Sequence, residues 1–290
     1  MITTLKQIVA AAAEAHYGVP QFNVWGYEDT RAVIDAGQMQ HSPLILGANR
    51  VAIEHMSVEH IGPLLRGLAE HATVPVVVHL DHCDDIDTIK RAIQNGFSSV
   101  MYDGSKLPLE QNIANSQEVV RFAQAAGVSV EGEVGAVPYA DATHPVVPTL
   151  TDPQDAQRYA EQTGVDAMAI AIGTIHRLRS PSSTINYETL AQIETRTAIP
   201  LVVHGTSGIP DEQLSKLVAH RVAKLNIGTR LRQAFVETLH MEIEQHPDEL
   251  DRVALFKAPM RRVTDVASAM IRLLGCANVA DRMPSMFGLS

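Results

Sequence analysis

Pro75-Val-Val-Val-His79-Leu-Asp81-His82-Cys83 is an apolar run that ends in a cluster of chemically active side chains. Two other stretches end in the same way: Ala167-Met-Ala-Ile-Ala-Ile-Gly-Thr-Ile-His176 and Pro200-Leu-Val-Val-His204-Gly205. None shows the polar alternation of a half-exposed strand, so each reads as a strand buried on both faces of a parallel sheet. In a closed barrel of parallel strands the carboxyl ends converge on one face, and residues far apart in sequence become neighbours there. His82, His176 and His204 are therefore expected to surround one metal ion. Three protein ligands with an open fourth position describe a catalytic rather than a structural zinc. His82 alone would read as a packed or hydrogen-bonded histidine; the joint placement of all three argues for the metal.

The same pattern runs along nearly the whole chain. Strands are expected at residues 19–24, 43–47, 75–80, 98–102, 128–133, 166–172, 200–204 and 222–227. Helices are expected between them at 27–40, 54–72, 84–95, 108–126, 152–163, 186–197, 210–219 and 229–245. Thr151-Asp152-Pro153 and Pro210-Asp211-Glu212 are recognisable helix starts. Eight strand–helix pairs give an α/β fold, the (β/α)8 TIM barrel, which needs about 250 residues. After His246-Pro247-Asp248 the pattern is helical only, to about residue 275. It predicts a C-terminal helical extension packed on the barrel or on a neighbouring subunit. One domain is expected over 1–290, with the barrel at about 1–245 and the tail at about 248–290. Residues 135–149 carry three prolines and no periodicity, which marks a loop over the barrel mouth and a lid.

Composition excludes several function classes. Of 290 residues, 46% are apolar and 19% charged, ordinary values for a globular protein. No long uncharged apolar stretch predicts a membrane span. The start, Met1-Ile-Thr-Thr-Leu-Lys6, does not resemble a secretory leader, and two cysteines make no disulfide framework. A cytoplasmic location is expected. A net charge of −10 argues against a nucleic-acid partner, since phosphate backbones need basic patches. It leaves room for a small anionic substrate held by backbone N–H groups at a helix start.

Beside the histidines, Asp81 offers a proton acceptor within reach of a metal-bound substrate. The other reading of Asp81 is a cap for the helix that begins near Asp84-Asp85. Asp103, and Glu131 or Glu133 on one face of the fifth strand, are either oxygen ligands of a second metal position or hydrogen-bond partners that orient the histidines. His79 faces the same way as Asp81 and reads as core or support; Cys83 reads as a buried thiol. His204-Gly205-Thr206-Ser207-Gly208 and Asn226-Ile-Gly228-Thr229 follow the last two strands, where such barrels often bind phosphate. The remaining histidines, His220 included, read as surface residues.

Together these segments resemble the class II, zinc-dependent fructose- and tagatose-bisphosphate aldolases. The resemblance also takes in Phe22-Asn23-Val24, Ser42-Pro43, Tyr102-Asp103-Gly104-Ser105, Glu131-Gly132-Glu133, Thr163-Gly164-Val165-Asp166 and Lys224-Leu225-Asn226, so it spans almost the entire chain. It implies zinc on His82, His176 and His204, with Asp103 and Glu133 at an alternative metal position. It implies that Asp81 exchanges a proton with the hydroxyl at the cleaved bond. Asn23, Gly205, Ser207, Asn226, Gly228 and Thr229 would hold a dihydroxyacetone phosphate unit, with a monovalent cation (Na+ or K+) nearby. The expected reaction is reversible cleavage of a phosphorylated ketose to dihydroxyacetone phosphate and an aldehyde through a zinc-stabilised enediolate. No Schiff-base lysine is required, and Lys106, Lys216, Lys224 and Lys257 read as surface or packing residues. A homodimer or homotetramer is expected from the family likeness and the helical tail.

The chain also departs from the family. Arg177 replaces the glycine usual after the second zinc histidine, so it would crowd the phosphate pocket or grip an anion. The lid lacks the family's Gly-Gly-x-Glu, which leaves Asp141 as the nearest acid for the enediolate proton. Trp25 and Asn49 stand near the distal end of the substrate in relatives, and Arg232 reads equally as a distal contact or a solvent-facing side chain. These changes leave room for a sugar with a carboxylate at the far end. Two further readings are a non-catalytic aldolase-like subunit that supports a partner enzyme and a zinc-dependent hydrolase on the same barrel.

Overall fold

The computed structural model describes residues 1–140, 146–178, 180 and 182–283. Eight parallel strands close into a barrel in sequence order: β1 (Val19–Asn23), β2 (Leu44–Asn49), β3 (Val76–Cys83), β4 (Ser99–Tyr102), β5 (Ser129–Val134), β6 (Ala167–Ile170), β7 (Leu201–Val203) and β8 (Val222–Ile227). Gln21 pairs with Ile45 on one side and Asn226 on the other, which seals the ring. Every strand residue except Asn49 and His82 is buried, as continuous Val, Ile, Leu and Ala runs require.

The helices follow from local signals. α1 (Leu5–Ala15) starts in a capping box between Thr4 and Gln7, and it packs against β8 and β5 beneath the barrel. It is additional to the eight expected helices. α2 (Tyr27–Met39) follows β1. The expected helix at 54–72 is two, α3 (Arg50–His55) and α4 (Val58–Glu70), because Met56 leaves helical geometry at φ −135°. α5 (Ile86–Gln94) is capped by Asp85, whose side chain accepts the Thr88 N–H. Capping therefore falls to Asp85, and Asp81 is free for other work. α6 (Leu109–Ala125) precedes β5, and α7 (Pro153–Thr163) starts at the expected Asp152 cap with proline in its first turn. α8 (Tyr187–Arg196), α9 (Asp211–Leu217) and α10 (Thr229–Gln245) complete the ring.

The tail forms α11 (Arg252–Leu273), which packs on α2 and α10 through Val263, Ala267 and Ile271. Thr264 ties it down by donating to the Ala32 carbonyl at 3.0 Å. The tail thus lies against its own barrel. No helix among the described residues is long and apolar enough to cross a membrane.

The barrel interior is apolar only in part. β1, β3, β5 and β8 each bury polar residues two apart on one face: Gln21 and Asn23, His79 and Asp81, Glu131 and Glu133, Lys224 and Asn226. Period two stacks these side chains in layers that rise toward the strand carboxyl ends.

Candidate active site

β3 pairs regularly with β4 through His79–Ser99 and Leu80–Val100, and then the register shifts before Cys83–Tyr102. His82 sits in this bulge in left-handed backbone, at φ 53°. On a regular strand Asp81 and His82 would face opposite ways. The bulge turns both into the barrel mouth, where they line one cleft. His176, beyond β6, is clamped by the start of the lid: its N–H donates to Pro138 O at 2.8 Å, and its carbonyl accepts from Ala140 N at 2.9 Å. The Tyr139 ring stacks on the His176 imidazole at 4.5 Å and 18°. His204 follows β7 and is wholly buried.

The three imidazoles meet. One ring nitrogen from each lies within 4.8 Å of the others. His82 Nδ1 stands 2.8 Å from Asp103 Oδ2, and His204 Nε2 stands 3.0 Å from Glu131 Oε1. A proton on each of those nitrogens donates to the carboxylate and leaves the opposite nitrogen with its lone pair exposed. Those opposite atoms, His82 Nε2 and His204 Nδ1, are buried without a hydrogen-bond partner, as is His176 Nε2. Three orphaned buried acceptors in one place are costly unless a cation joins them, so the residues fit a divalent metal. His82, Asp103 and Glu133 form a second group with the same 4.8 Å limit, which suits an ion that accepts oxygen ligands. The fifth-strand glutamates are thereby separated: Glu131 lies below His204, whereas Glu133 Oε2 faces His82 and His204 at 3.7 and 3.5 Å.

Charge favours a cation here. Burial alone would lower His82, but Asp81, Asp103 and Glu133 outweigh it and raise the imidazole's affinity for positive charge, a proton or a metal in its place. His176 is held well below its ordinary value by burial and by its two histidine neighbours. Asp81 would be raised by burial; His82 and Lys224 instead hold it below the usual carboxylate range. Its two oxygens accept from Asn23 Nδ2 at 3.2 Å and from Asn226 Nδ2 at 2.9 Å. Asp81 is thus an ionised carboxylate fixed by two amides.

Lys224 corrects the sequence reading. It is neither surface nor passive packing: with no exposure at all, it holds Glu131 at 2.9 Å and donates to Asn226 Oδ1 at 2.7 Å. Lysine only donates, so it fixes which way the Asn226 amide points and sends Nδ2 toward Asp81. His79 supports the same layer, with Nδ1 2.8 Å from Ser99 Oγ, and burial with Lys224 lowers it to about 4. His220 is another correction, being half-buried against Glu194 at 2.7 Å.

The loops after β7 and β8 stand together at the other side of the cleft. Gly205 has φ 67°, and a Cβ there would lie 2.9 Å from the Ile175 carbonyl carbon, so only glycine lets this loop approach the one after β6. Thr206–Gly208 form a short 3-10 turn, and Gly228 precedes α10, whose first turn opens on Thr229. Ser207 Oγ is buried without a partner. Asn23, Gly205, Ser207, Asn226, Gly228, Thr229, Arg177 and Arg232 all line the cleft, as do Trp25 and Asn49. Arg232 is half-buried over Trp25, with Cζ 5.2 Å from the ring centroid, and is not a solvent-facing side chain. Asp141 and Arg179 lie outside the described residues.

The sequence model for class II fructose-bisphosphate aldolases matches residues 3–279. The chain belongs to the class II fructose-bisphosphate aldolase family. Class II aldolases are metal-dependent lyases, and this chain is an enzyme of that type. It is 34% identical over 280 residues to the 6-phospho-5-dehydro-2-deoxy-D-gluconate aldolase of Bacillus velezensis, a match covering 96% of this chain and 97% of that one. The crystal structure of the YdjI aldolase from Escherichia coli K12 is similar with a TM-score of 0.83 and 30% identity, over 97% of this chain and 100% of that chain. Campylobacter jejuni fructose-bisphosphate aldolase shares the fold, with a TM-score of 0.82 at 20% identity over 96% of each chain.

Within this aldolase, one cleft residue and one buried residue beneath it escaped sequence reasoning. Tyr139 is invisible in a segment read only as a lid. Lys224 carried a usable signal, because a lysine inside Val222-Ala-Lys-Leu-Asn-Ile227, a strand buried on both faces, needs an anion beside it.

Proposed function

We propose that the chain cleaves a phosphorylated ketose reversibly into dihydroxyacetone phosphate and an aldehyde, with zinc held by His82, His176 and His204. The observation that carries this reading is the convergence of three partnerless ring nitrogens beside an ionised Asp81. When bound, the metal supplies Lewis-acid polarisation of the ketone and counters the negative charge that develops on its oxygen.

The chain's own groups account for the rest. Asp81, steadied by Asn23 and Asn226, accepts the proton of the hydroxyl next to the cleaved bond. The O–H electron pair becomes the aldehyde carbonyl, the carbon–carbon bond breaks, and its pair passes to the carbon beside the ketone. That carbon then takes a proton to give dihydroxyacetone phosphate. The phosphate is bound by N–H groups around Gly205–Ser207 and at the start of α10, where the helix dipole favours an anion. Ser207 supplies a hydroxyl and Thr229 another. A sodium or potassium ion beside the phosphate completes the reading.

The test is a coupled assay that reduces dihydroxyacetone phosphate as it is released from a panel of ketose phosphates. Release should stop on chelation, return with zinc, and require sodium or potassium. Release of inorganic phosphate with no carbonyl product would refute the aldol reaction.

A further inference from the structure

Four arginines line or border the cleft, and they fall into two pairs. Arg50 and Arg230 are neutralised, by Glu54 at 2.9 Å and Asp211 at 2.7 Å. Arg177 and Arg232 are not. Among the described residues neither forms an ion pair with a carboxylate; each lies instead on an aromatic face. Arg177 Cζ is 5.1 Å from the Tyr139 centroid and Arg232 Cζ 5.2 Å from that of Trp25. Stacking fixes a guanidinium's plane while leaving its N–H edge free to donate. Arg232 is lowered first by burial and then by the charge of Arg177, so the two cations feel one another across the cleft. Arg177 also takes left-handed backbone at φ 62°, which costs a side-chain-bearing residue roughly 1 kcal/mol. Two unpaired, pre-oriented cations of this kind await an anion.

The anion is not the phosphate already assigned, for which the loops after β7 and β8 supply backbone N–H groups. Around Trp25 and Asn49 two such groups are already used: Asn49 caps α3 by accepting from Ala52 N, and Trp25 N donates to Asp29. The guanidinium forks are the charged donors of this part of the cleft, and a planar, two-oxygen anion matches them.

We propose that Arg177 and Arg232 bind a carboxylate at the end of the sugar remote from its phosphate, so that the aldehyde released is an aldehyde acid. The inference rests on the aldolase reading and narrows its substrate class.

Dihydroxyacetone phosphate is condensed with three probe aldehydes: succinate semialdehyde, 4-hydroxybutanal and glyceraldehyde 3-phosphate. The wild-type kcat/KM should be at least about tenfold higher for the carboxylate than for the hydroxyl probe, the size expected of charge-assisted hydrogen bonds. Arg177→Met and Arg232→Met should each reduce that ratio about fivefold or more, through KM for the carboxylate probe. Arg232→Lys, which keeps the charge but loses the fork, should fall between and covers failure of the methionine variant to fold. A wild-type preference for the phosphorylated or hydroxyl probe, or a ratio unchanged within about twofold in the variants, overturns the inference while leaving the aldolase intact. If no aldehyde consumes dihydroxyacetone phosphate, the reaction itself is wrong, and this inference falls with it.

Discussion

His82 combines two roles that a regular strand would separate. Its left-handed φ of 53° turns the imidazole to the same side as Asp81, at a cost of about 1–2 kcal/mol for a residue with a Cβ. Histidine is among the residues that tolerate this region. The strain is offset by the hydrogen bond to Asp103 and, in the proposed holoenzyme, by the metal. Asp81 is the complementary case: both oxygens accept amide protons, and nearby positive groups keep it ionised. Asp81→Asn should therefore retain bound metal and lose kcat by roughly 10²–10⁴-fold, the usual scale for a positioned proton acceptor. Metal content by elemental analysis with parallel turnover checks both halves. Identity at this scale was legible in the sequence, since Leu80-Asp81-His82 announces itself; the bulge that makes the adjacency useful was not. Nothing in the residues of β3 encodes a register shift that depends on its neighbour β4.

At the scale of elements, β5 and β8 build the floor of the site. Glu131 and Lys224 form an ion pair with no exposure, and Lys224 passes its orientation through Asn226 to Asp81. Lys224→Met removes one partner and leaves a buried carboxylate uncompensated, which should cost about 3–5 kcal/mol. Glu131→Gln added to Lys224→Met should recover part of that loss, as denaturant unfolding of the three proteins would show. The first turn of α2 carries a second, half-buried carboxyl group. Burial raises Asp29 to about 6, above its unfolded value of 3.8. Between those values the folded chain binds more protons than the unfolded one, so stability falls as pH rises from about 4 to about 6. Asp29→Asn still accepts the Trp25 N–H and carries no charge. Its melting temperature should exceed the wild type's at pH 8 and lose the advantage near pH 4. The sequence placed eight strands within a few residues of their positions because doubly buried runs are unmistakable. α1 is missing from the expected helices although its alanine-rich run favours one, since nothing in that run says that it packs beneath the barrel, and α3 is joined there to α4 across Met56-Ser57.

For the whole molecule, closing the ring between β1 and β8 is what turns scattered motifs into a site. Asn23, Asp81, His82, His176, His204 and Asn226 come from three strands and from the segments that follow two more, and no pair within them is conclusive alone. That is why the metal centre could be anticipated from the order of strand ends, whereas Tyr139 on His176 depended on how residues 138–140 pair with the loop after β6. The decisive measurement is a zinc titration of the chelator-treated, full-length chain, following ketose-phosphate cleavage and bound zinc together. Activity should rise linearly and stop at one ion per chain, and His176→Ala should abolish both tight binding and cleavage. Cleavage that persists without metal, or His176→Ala protein that still binds one zinc tightly and turns over normally, would contradict a three-histidine catalytic centre.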